Sequence, residues 1–180
     1  MSNDPLTIEE RYVTANQATN LRCEADKKGA IDVIIAAGMS SSRLGSALLR
    51  LRTEWDGSAH KRGSMSQTDM RLLMGQLKTL AAVREAVGWW ARKEGMEDAD
   101  KVVAAAIHWW LDKTCPACEG RGKTVIEGTP VLSSINCKHC HGTGERRLSH
   151  GQAGQQVMGY MHDCTERAAQ SIKSRLYRMR

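Results

Sequence analysis

The sequence predicts a mainly α protein: a helical domain with an inserted four-cysteine zinc-ribbon β-hairpin and a basic C-terminal segment of helix-turn-helix outline. Three observations predict it. The pattern C-x-x-C-x-G-x-G occurs twice, at Cys115, Cys118, Gly120, Gly122 and at Cys137, Cys140, Gly142, Gly144. Apolar residues elsewhere recur at three- and four-residue steps, from a palette that lacks Phe and favours helices over sheets. Positive charge gathers after the second cysteine pair, where Arg146, Arg147, Arg167, Lys173, Arg175, Arg178 and Arg180 face only Glu145, Asp163 and Glu166.

Residues 1–29 show no clear apolar period, so a mobile N-terminal arm is expected, with 6–12 hinting at a short helix behind Thr7. A helical domain spans 30–113. It opens with the apolar turn Ile31, Val33, Ile34, Ile35, Ala36; after Gly38, the run Ser40, Ser41, Ser42 supplies an N-cap for 43–52, with Leu44, Leu48 and Leu51 on one face. Residues 55–63 are polar and contain glycine, which predicts a loop. Ser66 with Asp69 resembles a capping box opening one long helix, with Leu73, Leu77, Leu80, Val83 or Arg84, and Val87 repeating along it to about Lys93. Gly95 ends it. The next helix starts near Glu97 and Asp98, whose carboxylates suit the positive end of a helix dipole, and runs through Val102, Val103, Ala106, Ile107 and Trp110 to Lys113. Neighbours on a helix diverge by about 100°, so one tryptophan of Trp89-Trp90 and of Trp109-Trp110 must face the core; packing is expected over base stacking.

The zinc ribbon spans 114–148. A C-x-x-C pair lets two thiolates from one tight turn reach the same ion, and the second pair completes the tetrahedron that Zn²⁺ favours. Cys115, Cys118, Cys137 and Cys140 are therefore the expected ligands of one structural zinc, with the glycines turning the backbone through φ > 0. Four thiolates leave no position for an activated water, so no catalysis is expected at the metal. His139 and His141 flank Cys140 and could replace a thiolate; with the cysteine set complete they are expected behind the ligands or in solvent. Neither pair has the βαβ setting of a redox C-x-x-C. The β-prone runs 123–126 and 131–135 around a turn at 127–130 predict a hairpin that the metal must hold.

The basic segment spans 149–180. A short helix over 152–159, a turn at 160–164 and a second helix from Glu166 to about Met179 make the helix-turn-helix outline, with Ala169, Ile172, Leu176 and Met179 inward. Arg167, Gln170, Ser171, Ser174, Arg175 and Arg178 would then face outward, and with Arg146, Arg147 and Lys173 they form the candidate DNA-binding set. The alternative is a basic amphipathic helix packed on the domain with a solvated outer face. Lys123 and Lys138 of the ribbon are the fallback contacts.

The net charge of +6 and pI near 9.1 suit an anionic partner. No apolar stretch reaches a membrane span, and the acidic, polar start lacks a signal peptide's regions, so a cytoplasmic protein is expected. Metal-held thiols agree with that compartment and leave Cys23 and Cys164 as ordinary free cysteines. The acidic residues do not cluster round an open metal site, so a metal-dependent nuclease, or any enzyme, is not expected.

In order, the stretch Ile31-Asp32-Val33-Ile34-Ile35-Ala36-Ala37-Gly38-Met39-Ser40-Ser41-Ser42, the helical region, the cysteine doublet with its hairpin-length insert and the basic tail resemble the Q antitermination proteins of lambda-like bacteriophages. The resemblance covers 30–180. J-domain chaperones carry similar cysteine repeats, but no His-Pro-Asp tripeptide occurs here. The resemblance implies an all-helical DNA-binding protein with a zinc ribbon that acts at a phage late promoter. It implies engagement of a paused bacterial RNA polymerase still holding its sigma factor, with a Nus-type elongation factor as a further candidate partner, and readthrough of terminators. A DNA-binding regulator that does not travel with polymerase is the alternative.

Overall fold

A computed structural model describes the backbone of residues 7–18, 29–59, 67–126, 128–129 and 131–178. Seven helices and one two-stranded antiparallel sheet make up the described residues, so the chain is mainly α as its sequence predicts. The chain divides into two compact units, Met1–Trp90 with Gly159–Arg180, and Ala91–Met158.

The first unit begins with α1, Ile8–Gln17, where a mobile arm is expected. Thr7 and Glu10 close a capping box: the Glu10 amide donates to Thr7 Oγ1 at 3.2 Å, and the Thr7 amide donates to the Glu10 carboxylate at 2.8 Å. Ile8, Tyr12 and Ala15 fall at i, i+4 and i+7, one apolar stripe that packs on the next two helices. Three positions in ten residues make too faint a period to stand out from the polar sequence around them. Helix α2, Ala30–Gly38, is started by Asp32, which accepts from the Gly29 amide at 2.9 Å. Helix α3, Arg43–Ala59, is capped by Ser42, whose hydroxyl accepts from the Gly45 amide at 3.3 Å.

α3 continues through the region expected to be a loop, because Trp55 follows Leu48 and Leu51 on the same face and is only 4% exposed. Ion pairs Arg50 with Glu54 and Arg52 with Asp56 line its polar side. The long helix expected up to Lys93 is instead two, α4 at Gln67–Gln76 and α5 at Leu80–Lys93. Between them the Leu77 and Leu80 amides bond three residues back, to Met74 and Leu77. Glu54 of α3 then accepts from the Thr79 amide at 3.0 Å and its hydroxyl at 2.5 Å, satisfying the start of α5 from across the unit. Leu77 and Leu80 both stay buried, so apolar spacing alone hides the break. Ser66 of the expected capping box lies outside the described residues.

The expected turn at 160–164 is also absent. α7 runs unbroken over Gly151–Arg178, with Val157, Met161, Cys164, Ala168, Ile172 and Leu176 buried at steps of three and four. Gly159 costs a helix only about 1 kcal/mol. Thr165 is buried and its hydroxyl donates to the His162 carbonyl at 2.7 Å within the helix. The core of this unit joins Tyr12, Val33, Ala36, Leu49, Ala168 and Ile172. Trp90 stacks on Tyr160 at 4.0 Å between centroids, while Trp89 is exposed.

In the second unit, Gly95 at φ +72° ends α5 as expected: the Gly95 amide donates to Arg92 and the Met96 amide to Ala91, a Schellman closure. Helix α6, Ala99–Leu111, buries Val102, Val103, Ala106, Ile107 and Leu111 and carries the chain to the cysteines. β1 is Lys123–Val125 and β2 is Leu132–Asn136, pairing Lys123 with Asn136 and Val125 with Leu132. Among the described residues no helix is long and apolar enough to cross a membrane.

Candidate functional site

Cys115, Cys118, Cys137 and Cys140 are buried together and form a cluster of their own. Their sulfurs lie within 4.8 Å of one another, and Cys118 Sγ is 3.7 Å from Cys140 Sγ. Thiolates about 2.3 Å from a tetrahedral ion sit about 3.8 Å apart, so the quartet fits one metal ion. His139 and His141 are exposed and outside this cluster.

The two cysteine turns interlock with near-twofold symmetry. The Cys115 amide donates to the Gly144 carbonyl at 2.8 Å, and the Cys137 amide donates to the Gly122 carbonyl at 2.8 Å. Each turn also holds a thiol with its own glycine, the Gly122 amide on Cys118 Sγ at 3.3 Å and the Gly144 amide on Cys140 Sγ at 3.2 Å. Gly122 and Gly144 have positive φ, and a Cβ on either would strike the carbonyl of Gly142 or Gly120 in the opposite turn. Burial pushes both thiols up. At Cys140 the amides of Gly144 and Gly142 and the neighbouring thiols overcome it and bring that thiol down to about 6. At Cys118 burial wins over the Gly122 amide, and with the neighbouring thiols it holds that proton to about 11. Cys140 therefore gives up its proton more readily than Cys118, and a cation bound by the quartet would draw off the thiol protons.

Where the ribbon begins and ends, its two strands of chain are tied together. Thr114 bridges to Glu145, the Arg146 amide donates to the Lys113 carbonyl at 2.8 Å, and Lys113 Nζ pairs with Glu145 at 2.7 Å. Arg146 completes the tie. Its guanidinium lies 3.2 Å from Asp112 Oδ2 and 3.2 Å from His108 Nδ1, and its carbonyl accepts from Trp109 Nε1 at 2.7 Å. Burial, then the adjacent guanidinium, hold the His108 pKa below its ordinary value against the opposing Asp112 carboxylate. Arg146, expected as a DNA contact, has a side chain 24% exposed and paired with Asp112 in its own unit.

The remaining candidate DNA residues divide. Arg167, Gln170, Ser171, Ser174, Arg175 and Arg178 line one open cleft of about 560 Å³ in the first unit. Lys173 is exposed on another side of the same helix, and Arg147 is exposed in the second unit. Ser41 and Ser42, expected only as an N-cap, line the cleft as well. Gly45 brings the two sides together. A Cβ there would meet the Cys164 carbonyl and Ala168, so its absence lets α3 lie directly against α7, where Ser42 Oγ donates to the Cys164 carbonyl at 3.2 Å. Cys164 itself is buried, as an ordinary small apolar residue is; Cys23 lies outside the described residues.

Compared with known proteins, the chain matches no family model, no curated protein and no solved structure.

Proposed function

We propose that this chain is a transcription antitermination factor that binds late-promoter DNA and joins RNA polymerase, so that transcription passes terminators. Cys115, Cys118, Cys137 and Cys140 hold one Zn²⁺, which supplies structure and no reaction step, because four thiolates fill its coordination sphere. The observation that carries the DNA part is the gathering of Arg167, Gln170, Ser174, Arg175 and Arg178 on one cleft, the donor types that hold phosphates and read bases. The antitermination part rests on the resemblance of 31–42 and of the cysteine doublet to the phage Q proteins.

Transcription through a terminator placed downstream of the cognate late promoter, run with and without the purified protein, tests both parts. Readthrough that requires the promoter element, with the protein co-migrating with polymerase after escape, is the expected result. Promoter binding without readthrough or co-migration would replace this reading with a regulator that stays on DNA. Elemental analysis returning about one zinc per chain is expected, and another metal or none would refute the zinc assignment.

A further inference from the structure

We propose that the cleft where Arg167, Arg175 and Arg178 meet Ser41 and Ser42 is a phosphate site, occupied by a backbone phosphodiester of nucleic acid. It rests on the DNA-binding reading above and deepens it: this end of α7 clamps the strand instead of reading base edges.

The electrostatics point first to an anion. Three arginines line the cleft and, among the described residues, no carboxylate does. Five arginines elsewhere are ion-paired, Arg50 with Glu54, Arg52 with Asp56, Arg92 with Asp100, Arg121 with Glu119 and Arg146 with Asp112. Arg175, one of the arginines of this cleft, has its Nε buried with no hydrogen-bond partner among the described residues. Burying a charged donor without an acceptor is costly, and an anion held close to this guanidinium lowers that cost.

The donor chemistry suits a phosphate. Guanidinium offers only donors, in a planar fork that matches phosphate oxygens. The serine side is held in place, since the Ser41 amide donates to Ser171 Oγ at 3.3 Å and the two hydroxyls lie 3.5 Å apart. Arg167 is also fixed in advance: its Nε donates to the Asp163 carbonyl at 3.0 Å and its Nη2 contacts Cys164 Sγ at 3.4 Å. A base edge presents donors and acceptors together, whereas of the cleft's lining side chains only Gln170 and the serines can accept.

The full-length, zinc-loaded chain, labelled for NMR, is titrated separately with inorganic phosphate and with two duplexes of unrelated sequence. Phosphate is expected to shift the Ser41 and Ser171 amides and the Arg175 Nε–H, and Arg175→Ala or Arg178→Ala to abolish this while the helical circular dichroism is kept. Each variant should weaken both duplexes alike, by about tenfold, and lower the slope of log affinity against log salt by about 0.9. Cleft shifts with phosphate but no duplex binding would leave an anion site, overturn its occupation by a phosphodiester and sink the DNA reading. Duplex binding that leaves the cleft signals unmoved, or a loss confined to one sequence, overturns the phosphate site and leaves the DNA reading standing. Silence toward both ligands overturns both.

Discussion

The ribbon hairpin and the helical unit are held by opposite means. In the hairpin no strand residue is buried, and Val125, Ile126, Val131, Leu132 and Ile135 all lie exposed, so the buried centre of the ribbon is the cysteine quartet itself. In the helical unit, Val33, Ala36, Leu49, Ala168 and Ile172 bury a continuous apolar core with no metal ligand in it. A two-stranded hairpin cannot stabilise itself in water, whereas a core of packed stripes can. Folding of one region is therefore expected to depend on an ion held by the quartet, and folding of the other on area and fit.

Metal removal should break the comparison open most widely. Structural zinc contributes about 10–16 kcal/mol of apparent binding energy, so chelation or Cys118→Ser should unfold the ribbon. NMR should show the amides of β1 and β2 collapse to random-coil positions while those of α2 and α3 hold. Simultaneous loss of α2 and α3 would mean that the two regions are one cooperative structure.

In the helical unit, fit is tested at two glycines of one helix. Gly45→Ala forces a Cβ into the Cys164 carbonyl and should cost about 3 kcal/mol in urea unfolding. Gly57→Ala meets nothing within 4 Å and should stabilise by about 1 kcal/mol through helix propensity. Equal effects of the two would show that close helix contact does not govern this core.

Arg146→Ala should cost about 1.5–3 kcal/mol in the second unit, because Asp112 and His108 lose a half-buried charged partner. Heat-induced loss of the ribbon amides should then come at a lower temperature, with the metal still bound. An unchanged melting profile would reduce the Arg146 tie to a surface contact.

The smallest expected effect is a pH dependence. The His108 pKa is lowered from 6.5, so the unfolded chain takes up this proton first and stability falls as pH drops below about 6.5. Above that range both states hold the ring neutral and the contribution is flat. Urea midpoints at pH 7.5 and 5.5 should differ more for the wild type than for His108→Gln. An equal fall in both would show that His108 does not carry the dependence.

The legible parts of the sequence were those where chemistry demands a fixed local spacing. Two C-x-x-C-x-G-x-G turns specify four ligands, positive φ and the hairpin between them, and Ser42 before an apolar period marks a helix start. α1 was harder to read, since Ile8, Tyr12 and Ala15 acquire meaning only when α2 and α3 cover them. The same holds for the break before α5, which depends on Glu54, 25 residues away from Thr79 in the chain.

What the sequence by itself determined is the helical class, the cysteine quartet and the concentration of arginines near the C-terminus, because each is written in spacing or composition. Tertiary structure alone decided that Arg146 serves its own unit, that α7 has no turn, and that Ser41 and Ser42 join Arg167, Arg175 and Arg178 at one cleft. The physical reason is that a helix pattern states which side chains share a face but not what lies against that face. Close approach at Gly45 settles that, and it depends on atoms more than a hundred residues apart in the chain.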